Sequence, residues 1–176
     1  LEIHIGYTNT EALIFSITMP ASVTMGSYEN LRSFGIKRFQ ELENGRMRAP
    51  RARLYSSKLL QWVDYQYIEA MRELMPSYEE YFDDSEYRPL MFEPEYNWHF
   101  QKPEPYKHYF HVFNNQIKSL PRRQSERIDF IKTTILNAIE LYRNIEKNVL
   151  LDDDSNGSHL PTWFNVINAF QKELNG

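Results

Sequence analysis

Residues 104–121, EPYKHYFHVFNNQIKSLP, decide the fold, because their aromatic content favours a strand while their spacing favours a helix. In a strand, His108 and His111 would point to opposite faces, since their separation is odd. In a helix they would be neighbours. At about 100° per residue the apolar positions fall on one side and the polar positions on the other. The apolar side comprises Tyr106, Tyr109, Phe110, Phe113, Ile117 and Leu120, and the polar side Glu104, His108, His111, Asn115 and Lys118.

The ends of this stretch support the helical interpretation. Pro105 stands at a first helical position, where proline is tolerated, and Pro121 follows the last turn. Glu104 and Lys118 carry the charges that complement the helix dipole at the two ends. We therefore predict a helix over residues 105–120, with its rings turned inward and both imidazoles turned outward.

Patterns outside this stretch predict the remaining elements. On both sides of Thr8–Thr10 the odd positions are apolar, which is typical of the period of two in a β-hairpin; they are Ile3, Ile5, Tyr7, Leu13, Phe15 and Ile17. Other helices are expected where apolar residues recur at intervals of three and four, over about 28–44, 54–75, 122–150 and 161–175. The predicted fold class is mainly α (α+β), a helical bundle of about five helices with an N-terminal β-hairpin, in which helix 122–150 is central.

The composition predicts one domain over residues 1–176 and excludes several protein classes. Hydrophobic residues make up 41% and aromatic residues 15%, too much for a disordered chain. No apolar run reaches the roughly 18 residues of a membrane span, so we expect a soluble protein without membrane contact. The absence of cysteine removes disulfides and thiolate chemistry and fits a cytoplasmic location. Because Leu1 already belongs to the alternating stretch, the chain also fits a fragment of a longer protein.

Three roles are open to His108 and His111. A solvated helix face is the most frequent reason for polar residues at such positions. As metal ligands they would need others, since Glu104 lies about 10.5 Å from His111 along the axis, too far to share one ion. No spacing selects those others, and no metal or cofactor is predicted. As an acid–base pair titrating near pH 6.5, the imidazoles would suit phosphodiester cleavage.

An arginine cluster precedes the predicted helix 54–75. The Arg-rich loop, RMRAPRAR at residues 46–53, contains no acid. Its candidate binding residues are Arg46, Arg48, Arg51 and Arg53. Guanidinium groups present a fixed set of donors that suits phosphate. The loop is therefore a candidate contact for nucleic acid or for a protein partner, although a net charge of −4 provides no overall positive field for nucleic acid.

An acidic, tyrosine-rich loop follows the same predicted helix. This acidic loop, YEEYFDDSEY at residues 78–87, contains the candidate binding residues Tyr78, Tyr81, Asp83 and Asp84. Tyrosine supplies contact area at small entropic cost and is frequent in recognition surfaces; the alternative is a solvated acidic loop. A helix of about 21 residues would hold the acidic loop about 30 Å from the Arg-rich loop. Each loop is therefore expected to meet a separate partner.

The common catalytic motifs GxSxG, GxxxxGK and GxGxxG are absent from the sequence. We therefore expect a non-catalytic protein-interaction module or assembly subunit that binds a protein partner through the Arg-rich loop and the acidic loop. The alternative is a small phosphodiester hydrolase, such as a ribonuclease, or an RNA-binding domain. In that alternative His108 and His111 act as an acid–base pair or as metal ligands, and the arginines hold phosphate.

Overall fold

The computed structural model describes residues 2–26 and 51–176, and the chain divides into two compact units at residue 50. The predicted class is confirmed, because the described residues form six α-helices and two small two-stranded sheets. The predicted helix 28–44 lies outside the described residues. Within the described ranges, no helix is both long and apolar enough to cross a membrane.

The N-terminal unit contains a parallel pair of strands. Strand β1 (His4–Thr8) pairs with β2 (Ser22–Met25) in a parallel register. Their connection contains α1 (Ala12–Phe15) and a 3-10 turn over Ser16–Thr18. The predicted N-terminal hairpin is therefore wrong, since its second strand is helical and its partner comes later in the chain.

Burial within the connection explains this error. Leu13, Ile14 and Ile17 are buried, whereas Phe15 is 41% exposed. Burial at positions i, i+1 and i+4 follows the period of a helix. The apolar residues at 13, 15 and 17 resemble strand alternation only because Phe15 is apolar on the exposed side.

The second unit begins with an antiparallel hairpin. Strand β3 (Arg53–Ser56) pairs with β4 (Gln61–Asp64), so the first half of the predicted helix 54–75 is wrong. The last three residues of each strand are all buried, which means that both faces of the hairpin are covered. Such strands lack alternation, so their apolar residues match a helical spacing by coincidence.

The second half of that prediction is confirmed by α2 (Tyr65–Leu74). The Asp64 carboxylate caps this helix by accepting a hydrogen bond from the Gln66 amide at 3.2 Å. The chain then passes through a 3-10 turn over Tyr78–Tyr81 and the short helix α3 (Arg88–Met91).

Helix α4 (Pro103–Lys118) confirms the helix predicted over residues 105–120 and packs on β3. The Tyr109 ring lies 4.5 Å from the Trp62 ring and 5.2 Å from the Tyr55 ring between centroids. The Phe113 ring lies 5.9 Å from the Tyr55 ring. These spacings are those of packed aromatic pairs, so the hairpin and α4 share one aromatic core.

The last two helices, α5 (Gln124–Ile145) and α6 (Leu160–Asn175), confirm the helices predicted over 122–150 and 161–175. They pack together, and Lys132 spans the contact by donating to Gln171 Oε1 at 3.1 Å. The buried stripe of α5 comprises Ile128, Ile131, Ile135, Ala138, Tyr142 and Ile145. This stripe follows the repeat of three and four that predicted the helix.

The segment between α5 and α6 covers the outer edge of β4. The Asp64 amide donates to Ser155 Oγ at 3.2 Å, and His159 Nε2 donates to the Leu60 carbonyl at 3.3 Å. Leu60 closes the hairpin in the left-handed region, with φ of 55°, although it is not glycine. Contacts from distant parts of the chain therefore hold the hairpin turn in place.

Candidate functional site

The structure separates His108 and His111, although both lie on α4. His108 is 0% exposed, whereas His111 is exposed and hydrogen-bonded through Nε2 to Asn115 Nδ2 at 3.0 Å. The expectation that both imidazoles face outward is therefore wrong for His108. The described residues contain no group of three histidine, aspartate or glutamate side chains that could hold a metal ion.

Each ring nitrogen of His108 has a hydrogen-bond partner. Nε2 lies 3.1 Å from the Tyr55 carbonyl oxygen of β3, and Nδ1 lies 2.8 Å from Ser85 Oγ. Because a carbonyl oxygen only accepts, Nε2 carries the hydrogen, and Nδ1 accepts from the Ser85 hydroxyl. Burial lowers the pKa of His108, because the charged form loses its hydration. The neutral imidazole therefore bridges α4, β3 and the acidic loop.

The arginines of the Arg-rich loop divide into two pairs. Arg46 and Arg48 lie outside the described residues. Arg51 Nη1 lies 3.3 Å from Asp64 Oδ2 and 3.4 Å from Asp152 Oδ2. Its hydrogen bond with Asp64 is the main cause that raises the pKa of Arg51. This guanidinium is thus held by two carboxylates of its own chain.

Arg53 has an intramolecular acidic partner as well, since its Nη2 lies 3.4 Å from Asp154 Oδ2. One partner of each arginine therefore comes from residues 152–154, which were not among the predicted binding residues. The three consecutive aspartates directly follow the α5 pattern, and that position was the available signal. Phosphate binding by Arg51 or Arg53 would have to displace these carboxylates.

The inner side of the acidic loop is fastened to the hairpin and to α2. Asp83 accepts hydrogen bonds from the backbone amide of Ser57 at 2.7 Å and from its hydroxyl at 2.5 Å. Tyr78 is buried, and its hydroxyl accepts from Arg72 Nε at 3.2 Å. The Tyr81 carbonyl accepts from the Ser56 hydroxyl at 2.7 Å. Three of the candidate binding residues thus anchor the loop.

The outer side of the acidic loop is charged. Asp84 has a side chain that is 93% exposed and forms an ion pair with Arg88. The same guanidinium lies 2.9 Å from Glu79 Oε2. Glu80 and Glu86 are exposed as well. The loop therefore buries the rings of Tyr78 and Phe82 against the protein and holds most of its carboxylates toward water.

The predicted distance between the two loops depended on an unbroken helix over residues 54–75, and that premise is wrong. Arg53 opens β3, and Ser57 follows the last residue of the same strand. A strand of four residues spans about 13 Å. The described part of the Arg-rich loop and the acidic loop therefore contact opposite ends of one hairpin strand.

Sequence reasoning missed Ser85 and Asp64, which join these elements. Both stand just before a helix, and serine and aspartate are frequent caps of helix N-termini. That position was no signal in the sequence alone, because residue 64 lay inside the helix predicted over 54–75 and no helix was predicted to begin after residue 85.

Comparisons with protein-family models, with curated proteins and with solved structures find no match to this chain.

Proposed function

We propose that this chain is a non-catalytic protein-interaction module that binds a basic protein partner through the outer side of the acidic loop. The observation that carries the proposal is the division of the loop into an anchored inner side and a charged outer side. The exposed carboxylates belong to Glu79, Glu80, Asp84 and Glu86.

The anchoring contacts support this function because they reduce the conformational entropy that the loop would lose on binding. A loop that becomes ordered only on binding loses conformational freedom at that moment, and this loss reduces affinity. Here Asp83 is fixed by two hydrogen bonds to Ser57, and Phe82 is 0% exposed. The backbone that carries the outer carboxylates is therefore held in place before a partner arrives.

The charge of the surface supports a basic partner. Arg88 compensates Glu79 and Asp84 in part, but Lys58 donates to the backbone carbonyl of Glu80 and not to its carboxylate. Complementary charge accelerates encounter and excludes partners of the same sign. A surface with excess negative charge selects lysine- and arginine-rich segments.

The remaining predictions have less support. Contact through the Arg-rich loop stays a prediction, since Arg51 and Arg53 are paired within the chain. No contact among residues 2–26 and 51–176 favours the phosphodiester hydrolase. His108 is enclosed, and both of its nitrogens are occupied.

The test is fluorescence anisotropy with a labelled lysine- and arginine-rich peptide and with an acidic peptide of the same length. We expect the basic peptide alone to bind. Glu80→Lys should weaken its binding about tenfold, which corresponds to about 1.4 kcal/mol. The matched control is Glu173→Lys, which makes the same charge change at an exposed position of α6.

The control separates a defined surface from general attraction by an acidic protein. Binding within about twofold of wild type is expected for Glu173→Lys, because screening limits the reach of an exposed charge to about 10 Å. Equal weakening by both variants, or no binding of the basic peptide to wild type, would overturn the proposal.

A further inference from the structure

The hydrogen positions around His108 allow only one arrangement of donors and acceptors. Ser85 Oγ accepts from the Tyr87 amide at 3.3 Å and from the Arg88 amide at 3.2 Å. Both lone pairs of the hydroxyl are thus used, and its own hydrogen points to His108 Nδ1. The neutral imidazole satisfies every group in this chain of hydrogen bonds.

A proton added to Nδ1 would break this arrangement. The new N–H would face a hydroxyl oxygen that has no free lone pair, 2.8 Å away. Ser85 would have to release the amide of Tyr87 or Arg88, and these amides begin α3. The charge itself would be buried, and an unpaired buried charge is strongly unfavourable.

The charged and titratable groups around the ring do not reverse this effect. From the acidic loop Asp83 favours the charged imidazole, but its carboxylate already accepts two hydrogen bonds from Ser57. Arg88 of α3 and His111 of α4 oppose the charge, and from β3 the backbone carbonyl of Tyr55 contacts the ring. Burial is the largest effect and lowers the pKa of His108.

We propose that His108 is a pH-sensitive latch, which fastens the acidic loop to α4 when neutral and releases residues 85–91 when protonated. As a property of the fold, the latch requires no partner. As a regulator of the acidic surface, it rests on the function proposed above.

The direction of the pH effect follows from linkage. The pKa of His108 is lower in the folded protein than the ordinary value near 6.5 that applies when the ring is released. The latch is therefore fully effective above about pH 6.5 and weakens as the pH falls below that value. Between the two pKa values, the equilibrium constant for release should rise about tenfold per pH unit.

Hydrogen exchange of the Tyr87 and Arg88 amides measures the release directly, because both amides donate to Ser85 Oγ. After correction for intrinsic rates, their protection should fall between about pH 7.5 and pH 5.5 in wild type. In His108→Gln the protection should not depend on pH, since an amide does not titrate in this range. His111→Gln is the matched control on the exposed side of α4 and should behave as wild type.

His159 is half-buried, and burial lowers its pKa as well. His159→Gln should leave the pH dependence of the Tyr87 and Arg88 amides unchanged. A pH dependence that persists in His108→Gln, or that disappears in His159→Gln, would overturn the latch. Constant protection in wild type would do the same.

If His108→Gln does not fold, NMR titration of wild type decides the question. The Tyr87 and Arg88 amide shifts should change with the same midpoint as the His108 ring, and shifts that stay constant through this midpoint refute the latch. Measured in parallel, affinity for the basic peptide should fall with the same midpoint. Absence of peptide binding at every pH refutes the proposed function alone, because the exchange measurement needs no partner.

Discussion

Substitution of Gly157 by alanine tests whether the segment between α5 and α6 must lie directly on the Tyr142 ring. A Cβ atom built at Gly157 would overlap Tyr142 Cδ2 and would lie 2.8 Å from Cε2 and 3.0 Å from Cγ. The ring cannot turn away easily, since Tyr142 is buried and its hydroxyl donates to the Ser155 carbonyl at 3.3 Å. Gly157→Ala should therefore lower the free energy of unfolding by about 1–3 kcal/mol, the usual cost of overpacking.

Chemical denaturation followed by tryptophan fluorescence measures this loss. All three tryptophans, Trp62, Trp98 and Trp163, belong to the unit of residues 51–176 that contains Gly157. In thermal unfolding, each kcal/mol should lower the midpoint by about 2–4 °C. The matched glycine control in the same unit is Gly176→Ala, whose Cβ would meet only the Lys172 carbonyl oxygen, at 3.6 Å. That substitution should change stability by less than about 0.5 kcal/mol.

A double-mutant cycle identifies the clash as the cause. Tyr142→Phe keeps the buried ring and loses only the restraint from the hydroxyl, so Gly157→Ala should cost nearly as much in that background as in wild type. Tyr142→Leu removes the ring atoms that the new Cβ would overlap, and there the cost of Gly157→Ala should fall by at least half. Equal costs in the Phe and Leu backgrounds would refute the steric explanation.

Substitutions at three further positions test the contacts of the site by the same denaturation measurement. Asp64→Ala should cost about 1 kcal/mol through the lost helix cap, and Asp64→Asn should cost less because the amide oxygen can still cap α2; equal losses would contradict the capping role. Asp83→Ala should cost about 1–3 kcal/mol, because it leaves two Ser57 donors without their acceptor; an unchanged midpoint would show that the loop needs no anchor there. His111→Ala should stay within about 0.5 kcal/mol of wild type, and a larger loss would mean that this exposed imidazole contributes to the fold.

The spacing of the residues correctly predicted a helix at α4, but assigning its buried side by residue type alone was wrong for His108. The buried residues of this helix are Pro105, His108, Tyr109, Val112 and Phe113. This arc is turned toward His108 relative to the predicted apolar side, and the expectation that all rings face inward is wrong for Phe110, which is 40% exposed. His108 stands four residues before Val112 on the same line of the helix. Strand β3 and the acidic loop both contact this side of α4, through Tyr55 and Ser85. The position of Val112 could have placed His108 inside, but no sequence pattern names its partners Ser85 and Tyr55.

Long periodic segments were predicted better than short ones. In α5 the apolar repeat of three and four continues from Ile128 to Ile145, and a repeat of that length fits only a helix. The hairpin offers only four residues per strand, and both of its faces are buried by distant parts of the chain. Local pattern cannot show such coverage, because it depends on tertiary contacts. The pairing of Arg53 with Asp154 was equally beyond sequence reasoning, since the two residues are separated by 101 positions.

The covering of the β4 edge has a consequence for how the chain folds during synthesis. The residue that accepts from the Asp64 amide, Ser155, is 91 positions further along the chain. While the ribosome is still making the intervening helices, the edge of β4 has open hydrogen-bonding groups, and the strained turn at Leu60 lacks the imidazole that later holds it. The hairpin is therefore completed late. Until residues 155–159 emerge, its edge is exposed to chaperones and to pairing with other strands.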